Sequence, residues 1–473
     1  MVSFGVEREW TSDLRDLIAR YGALRAAPRG SERGRGQKFN ALIADLLRHW
    51  GIQDAEANVR GLEGRDEIDV TFSIDDSHYV LEAKWTATPV SADPVMKLAS
   101  RVGQRLGGTR GIIVSMSGYT KYAASAAERG QQPEVLLLDR SHFEAILSGL
   151  LPPEELLRSL VRRLSRHGGV YVPLADLLIP QRPVPAPTVC KRPLATPPWN
   201  IVLDTAGGIS VDLSLLGDRG WAGPTGICAA PQAGAVLVTT PVGIVEINTG
   251  DGTTSWALPV VGCRGTPVVD ADGSLLTVCN YAVVRWRTGG LDIVGGGFTG
   301  NSTVFPGPDG DAWVFDNTGD RYAGLMTLTS LGTTLGDQTH HEIDFPAGVW
   351  NAAWLDRRRF FLAGDGHSGV VDLDLGPVVP RSAWIESPQA GPRHILVRDA
   401  NTVVTAAREQ GVRGSLYQTS VTSGANGRLI QLAVNSLLGA TADGGGGAYV
   451  LADVRGNNAD PAPVLLQVSG LAL

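Results

Sequence analysis

Cysteine is scarce in this chain: four in 473 residues (Cys190, Cys228, Cys263 and Cys279), with no CxxC pair and no finger-type spacing. A cysteine-built zinc module is therefore not expected. Cys263 and Cys279 are near enough in sequence to pair, yet so few thiols read as a reduced, cytoplasmic chain. Long apolar runs are missing too. No stretch reaches the roughly 18 consecutive apolar residues of a membrane span. The first residues, MVSFGVEREWTSDLRDL, are charged and lack the apolar segment of a secretory leader. A Walker loop, a dinucleotide fingerprint and a Ser/His/Asp set are all absent. Basic excess is absent as well: residues 1–181 carry 23 basic and 23 acidic residues, so the whole net charge of −7 belongs to the remainder. An acidic second half repels phosphate and is a poor general nucleic-acid binder. Any contact with DNA falls to the first half.

What is present divides the chain in two. At 473 residues it is too long for one hydrophobic core. In the first part, Ser12–Tyr21 reads as a helix with Leu14, Leu17 and Ile18 on one face. Arg25–Gly36 reads as an Arg/Gly-rich loop. QKFNALIADLLRHWG follows with Phe39, Leu42, Ile43, Leu46 and Leu47 at helical spacing. Asp69–Ile74 and Tyr79–Trp85 form a hairpin around Asp75–His78. A helix over Pro94–Leu106, a buried strand GIIVSM, a helix over Tyr119–Arg129, a buried strand VLLLD and closing helices complete the order. The pattern predicts an α/β sandwich around a mixed sheet.

Residues 169–198 are dense in proline and read as a semi-rigid linker, which sets the domains at 1–168, 169–198 and 199–473. Glycine is concentrated in the last domain, where small turns precede short β-type runs: QAGAVLVTT, ADGSLLTVC, GDAWVFD, DRRRFFLAG, DANTVVTAA and GGGGAYVLAD. These recur at roughly the 40–50-residue period of a propeller blade. The expectation is an all-β propeller, best fitted by six blades and also accommodating seven. ISVDL (Ile209–Leu213) is the candidate strand that closes the ring by completing the last blade. HHEID (residues 340–344) is the close His/acid cluster of this half, but it lacks helical i, i+4 spacing and reads as a blade-edge loop. Trp313, Trp350 and Trp354 read as blade anchors.

The chemistry concentrates at Asp69, Glu82 and Lys84. Two apart on a strand, Glu82 and Lys84 face the same way, and the hairpin brings Asp69 alongside. Converging carboxylates are costly unless a cation bridges them, and a pair with open water positions suits Mg²⁺. Taken alone, such a triad is equally well read as a charged outer face. Charges inside the otherwise apolar YVLEAKW favour the functional reading.

RGQKFNALIADLL, EIDVTFSIDDSHYVLEAKW, GTRGIIVSMSGYTKYAASAA and VLLLD, in that order and spacing, resemble Mrr-like restriction endonucleases of the PD-(D/E)xK superfamily over residues 34–165. The resemblance implies that Asp69 and Glu82 ligate Mg²⁺ (or Mn²⁺) and that Lys84 is the catalytic lysine. Relatives often carry an acid on the first helix where this chain has Asn40, whose amide oxygen lacks the charge. Many place a supporting Gln where Gln104 stands, although a solvated Gln is the commoner case. Arg33, Arg35, Arg101, Arg105 and Arg110 are candidate DNA contacts against the ordinary reading of solvated charge. The expected function is Mg²⁺-dependent hydrolysis of DNA, with the propeller sensing or recruiting a protein or small ligand, in defence against foreign DNA, and with a homodimer for double-strand breaks. The alternative is an inactive nuclease fold serving as a DNA-binding or scaffold module, the propeller being an interaction platform.

Overall fold

The computed structural model describes residues 4–28, 32–60, 67–128, 135–179, 190–192 and 210–212. From 225 to 473 it describes all but 241, 271, 288–289, 300–301, 308–311, 317–324, 345–348, 357, 365–366, 373–384, 387–389, 409–413, 424, 433, 435, 454–462, 469–470 and 472. Two compact units result, the first holding residues 1–181 and the second most of 182–473.

The first unit is an α/β sandwich. Helices α1 (Phe4–Arg25) and α2 (Glu32–His49) lead into strands β1 (Glu56–Arg60), β2 (Glu67–Ile74) and β3 (Ser77–Lys84). Then come α3 (Ala92–Gly103), β4 (Arg110–Ser115), α4 (Lys121–Glu128), β5 (Val135–Asp139), α5 (Arg140–Ser148), α6 (Pro153–His167) and α7 (Leu174–Leu178). The sheet runs β1-β2-β3-β4-β5, antiparallel among the first three and parallel thereafter, so it is mixed as expected. Period-two burial explains β2: Ile68, Val70, Phe72 and Ile74 go inside while the residues between them do not. On one face Val80, Ile113 and Leu137 pack with Val95, Leu98 and Val102 of α3. On the other, Phe72, Leu81, Ile112 and Val114 meet Ile43, Leu46 and Leu47 of α2 and Phe143 of α5.

Four local readings are corrected. Helix α2 begins at Glu32, inside the segment expected to be a loop through Gly36: the helix whose apolar face starts at Phe39 continues N-terminally through ERGRGQK, a stretch with no apolar side chain of its own. Strand β1 was not anticipated; EANVR has no alternation of its own and is strand by pairing with β2. The hairpin turn is tighter than Asp75–His78: Ile74 pairs with Ser77, leaving Asp75 (φ 51°) and Asp76 as the two turn residues, which Asp tolerates at positive φ. The first unit also extends past residue 169, where the linker was expected to start. Val170, Val172 and Leu174 are buried, and the Val170 carbonyl accepts from the Leu137 amide at 3.1 Å.

Asp139 ties this last segment down. It caps α5 and accepts hydrogen bonds from Ser141 (2.6 Å), the His142 ring (2.8 Å) and the Tyr171 hydroxyl (2.6 Å). Burial alone would raise its pKa, but the bonds and charge of His142, with Ser141 and Tyr171, hold it well below the ordinary carboxylate range. A depressed folded-state pKa stabilises the fold above the unfolded value of about 3.9, and the gain is lost as pH falls through the folded value. Asp139→Asn is therefore expected to cost about 1–3 kcal/mol at neutral pH, the penalty for weakening bonds to a buried charge. Denaturant titrations from pH 7 downward should show the gap to wild type closing below about pH 4.

The second unit is a ring of six small antiparallel sheets, which is a six-bladed β-propeller. Blades one to five have four strands each and begin at Gly226, Cys263, Ser302, Val349 and Ala390. The sixth has three among the described residues: Ser436–Ala442, Ala448–Asp453 and Pro463–Val468. Each of the six turn-plus-strand motifs read from the sequence supplies a blade's second strand, for example Ala235–Thr240 and Arg359–Gly364. Ser210–Asp212, within the segment expected to complete the last blade, lies beside Pro463–Val468. The ring is closed by one core in which Ile227, Val236 and Val238 of blade one pack with Leu451 and Leu465 of blade six. Blades three and four share Phe305, Trp313, Phe315, Phe360 and Leu362, with Trp354 against them. Trp313 and Trp354 are thus anchors as read; the surroundings of Trp350 lie outside the described residues.

Two readings of this half need comment. Residues 340–344 belong to a regular strand, Gln338–Asp344, rather than a loop; His340 bonds Thr329 at 2.8 Å and the His341 ring stacks on Trp313. Cys263 and Cys279, expected to stay reduced, stand directly opposite on adjacent strands and are joined as a disulfide.

Candidate active site

Strand register assembles the site. Ala57 pairs with Val70 and Val59 with Ile68, which sets Asn58 opposite Asp69. Val70 pairs with Leu81, which continues to set Asp69 opposite Glu82. Opposed residues on antiparallel strands share a face, so Asn58, Asp69 and Glu82 form one polar row across three strands. Lys84 lies two residues on from Glu82. Val80, two residues before Glu82 on β3, packs against α3, whereas Asp69 and Asn58 are reached by Asn40 of α2.

Each carboxylate is held by named donors. Asp69 Oδ2 accepts the Ala83 amide at 2.8 Å, and Oδ1 accepts Asn40 Nδ2 at 3.1 Å. Asn40, buried on α2, also donates to Asn58 Oδ1 at 2.9 Å. Its amide nitrogen, not its oxygen, therefore faces Asp69. Burial raises the pKa of Asp69, and the Ala83 amide, Lys84 and Asn40 oppose that rise. Glu82 is 8% exposed and engages two cations: Lys84 Nζ lies 3.0 Å from Oε2 and Arg101 Nη1 2.6 Å from Oε1. Such a charge could not be buried unpaired without a cost of several kcal/mol.

Of the sequence-derived candidates, Asp69, Glu82, Lys84 and Asn40 are brought together. Arg101 joins them, though through Glu82 and not as part of an arginine cluster. Gln104 caps the C-terminus of α3 and is exposed. Arg35 lies over the Trp85 ring at 5.4 Å, next to Lys84 in sequence. Arg110 bonds Ser77 and Tyr79 at the hairpin end of β3. That is five residues from Lys84, or about 16 Å along a strand. Arg105 is exposed beyond α3, and the side chain of Arg33 lies outside the described residues. Asn58 was missed from sequence. It adopts φ 57° inside a strand, which Asn tolerates better than most residues, and only the fold sets it opposite Asp69.

The donor set fits a hard divalent cation. Among the described residues no cluster of three or more His, Cys, Asp or Glu forms, and at this site they offer two carboxylates, Asp69 and Glu82. Mg²⁺ is commonly held by one or two carboxylates and completes its octahedron with water and substrate phosphate oxygens. No helix among the described residues is long and apolar enough to cross a membrane.

No curated protein matches the chain. Among solved structures, the PQQ-bound aldose sugar dehydrogenase of Streptomyces coelicolor is 16% identical, covering 56% of this chain and 99% of that one with a TM-score of 0.39. A gluconolactonase of Xanthomonas campestris is 12% identical, covering 56% and 90% with a TM-score of 0.40. A catalytically inactive virginiamycin B lyase of Staphylococcus aureus is 16% identical, covering 54% and 88% with a TM-score of 0.36. The profile of the Mrr catalytic restriction endonuclease family matches residues 32–147, which span α2 through α5 and include Asp69, Glu82 and Lys84. Residues 32–147 of this chain match the Mrr catalytic domain family of restriction endonucleases, and a six-bladed β-propeller follows them.

Proposed function

We propose that the chain is a Mg²⁺-dependent DNA endonuclease whose propeller recruits the nuclease domain to a target or senses a partner. The observation that carries this reading is the row Asp69, Glu82 and Lys84 on two register-matched strands inside a domain of nuclease family. Asp69 and Glu82 would hold the cation, which when bound would polarise the scissile phosphate and make water a stronger nucleophile. Asn40 and the Ala83 amide fix the orientation of Asp69, so its carboxylate is preorganised before DNA arrives. Lys84 offsets charge building on the phosphate and steers the attacking water. Asn40 removes one negative charge that an acid would add, and its donation to Asp69 does the positioning instead.

The experiment is incubation of supercoiled plasmid with the full chain and Mg²⁺ or Mn²⁺. Nicked or linear products that vanish with a chelator are expected. Intact plasmid under every metal would instead favour the alternative, a nuclease fold retained for DNA binding. For the propeller, a chain ending at Gln181 that cuts with unchanged target preference would remove the recruitment role. Placement in defence against foreign DNA, a cytoplasmic site of action and a homodimer for double-strand cutting are parts of the same proposal.

A further inference from the structure

The feature that the family triad leaves unused is Arg101. It projects from α3 with 41% of its side chain exposed, and its Nη1 sits 2.6 Å from Glu82 Oε1. Lys84 already neutralises the other oxygen of Glu82 at 3.0 Å. One carboxylate thus has two cationic partners, while among the described residues the hydrogen bonds to Asp69 come from neutral donors, Asn40 and the Ala83 amide. A divalent cation that needs Glu82 must either share an oxygen with a guanidinium or displace it, because two positive groups on one oxygen repel. Displacement is the cheaper course. Arg101 is near the end of α3, half open to solvent, and no second partner among the described residues is recorded for its guanidinium. A released guanidinium beside a metal site is well shaped for bidentate contact with a phosphodiester, whereas Lys84, a point charge on the strand, is not.

We propose that Arg101 is an exchangeable counter-ion: it covers Glu82 until a divalent cation arrives, then transfers its guanidinium to the DNA phosphate. This rests on the nuclease reading of the site. It makes metal and DNA binding cooperative, since metal frees the residue that grips the backbone and phosphate removes the residue that competes with metal. Arg101 is a positioning residue with respect to Glu82 and a substrate contact only once DNA is bound.

The test uses the full chain and Ca²⁺, measured by calorimetry without DNA, for wild type, Arg101→Gln, Arg101→Lys and Glu82→Gln. Arg101→Gln is expected to bind Ca²⁺ about tenfold more tightly than wild type, and Arg101→Lys to stay near wild type. DNA binding in Ca²⁺ should change the opposite way: weaker in Arg101→Gln, with a salt slope shallower by about one unit, the signature of one lost phosphate contact. A merely structural arginine would not tighten one ligand while weakening the other. Unchanged or weaker Ca²⁺ binding in Arg101→Gln, with binding still abolished in Glu82→Gln, overturns the counter-ion role and leaves the metal site standing. Absence of Ca²⁺ binding in wild type and Arg101→Gln alike overturns both.

Discussion

Lys84→Ala is expected to slow DNA cleavage by about 10³-fold, or about 4 kcal/mol of lost transition-state stabilisation, while leaving the fold intact. The side chain is about one-third exposed, and its described ion pair is with Glu82, so removal creates no cavity in the core. Its loss also leaves Glu82 with Arg101 as counter-ion, so the carboxylate is not stranded. Asp69→Asn should have an effect of similar size for a different reason. Asp69 is half-buried, and burial already disfavours its charge; the amide keeps the shape but cannot neutralise a cation. The two variants separate by their DNA binding in Ca²⁺. Lys84→Ala should retain most of it, and Asp69→Asn should lose the metal-dependent part. Single-turnover cleavage and filter binding, run on both, check the pair.

The other large effect lies in the propeller. Phe360 is fully buried and is met by Trp354 at 5.1 Å, Phe315 at 5.8 Å and Phe305 at 6.2 Å between ring centroids. Phe360→Ala removes the aromatic group on which blades three and four meet, at a cost of about 3–5 kcal/mol. For a unit of this size that corresponds to a fall of roughly 10 °C in its melting temperature. The tryptophans Trp313 and Trp354 report the transition directly by fluorescence. A shift of under about 2 °C would mean that the shared aromatic core does not hold these blades together.

How far the sequence revealed this architecture depends on whether the signal was local. The hairpin carrying Asp69, Glu82 and Lys84 was legible because alternation in Glu67–Ile74 is strict and the turn residues are polar. The blades were legible because a glycine- or aspartate-containing turn precedes an apolar β-run six times over. Ser210–Asp212, read as completing the last blade, lies beside Pro463–Val468 but pairs with Cys190–Arg192 in a sheet of two strands. What escaped depended on partners distant in sequence. β1 is strand only because β2 lies beside it. Val170–Leu174 sit in proline-flanked sequence, and their burial comes from β5 and α5. The bond from Asn40 to Asp69 spans 29 positions and the Arg101–Glu82 pair 19, so neither leaves a periodic trace. For the same reason arginines grouped by sequence were dispersed by the fold: Arg110, on β4, bonds Ser77 and Tyr79 at the hairpin end of β3, while Lys84 stands at the other end of that strand. The Cys263–Cys279 pairing follows from blade register, which the scarcity of cysteine could not foretell.

The most direct measurement is the initial rate of plasmid nicking as Mg²⁺ is titrated from zero, for wild type beside Glu82→Gln. Wild type is expected to show no cutting in chelator and a saturable rise with Mg²⁺, and Glu82→Gln to stay at baseline throughout. Equal rates in the two proteins, or cutting by wild type that persists in chelator, would contradict a metal-dependent site built on Asp69, Glu82 and Lys84.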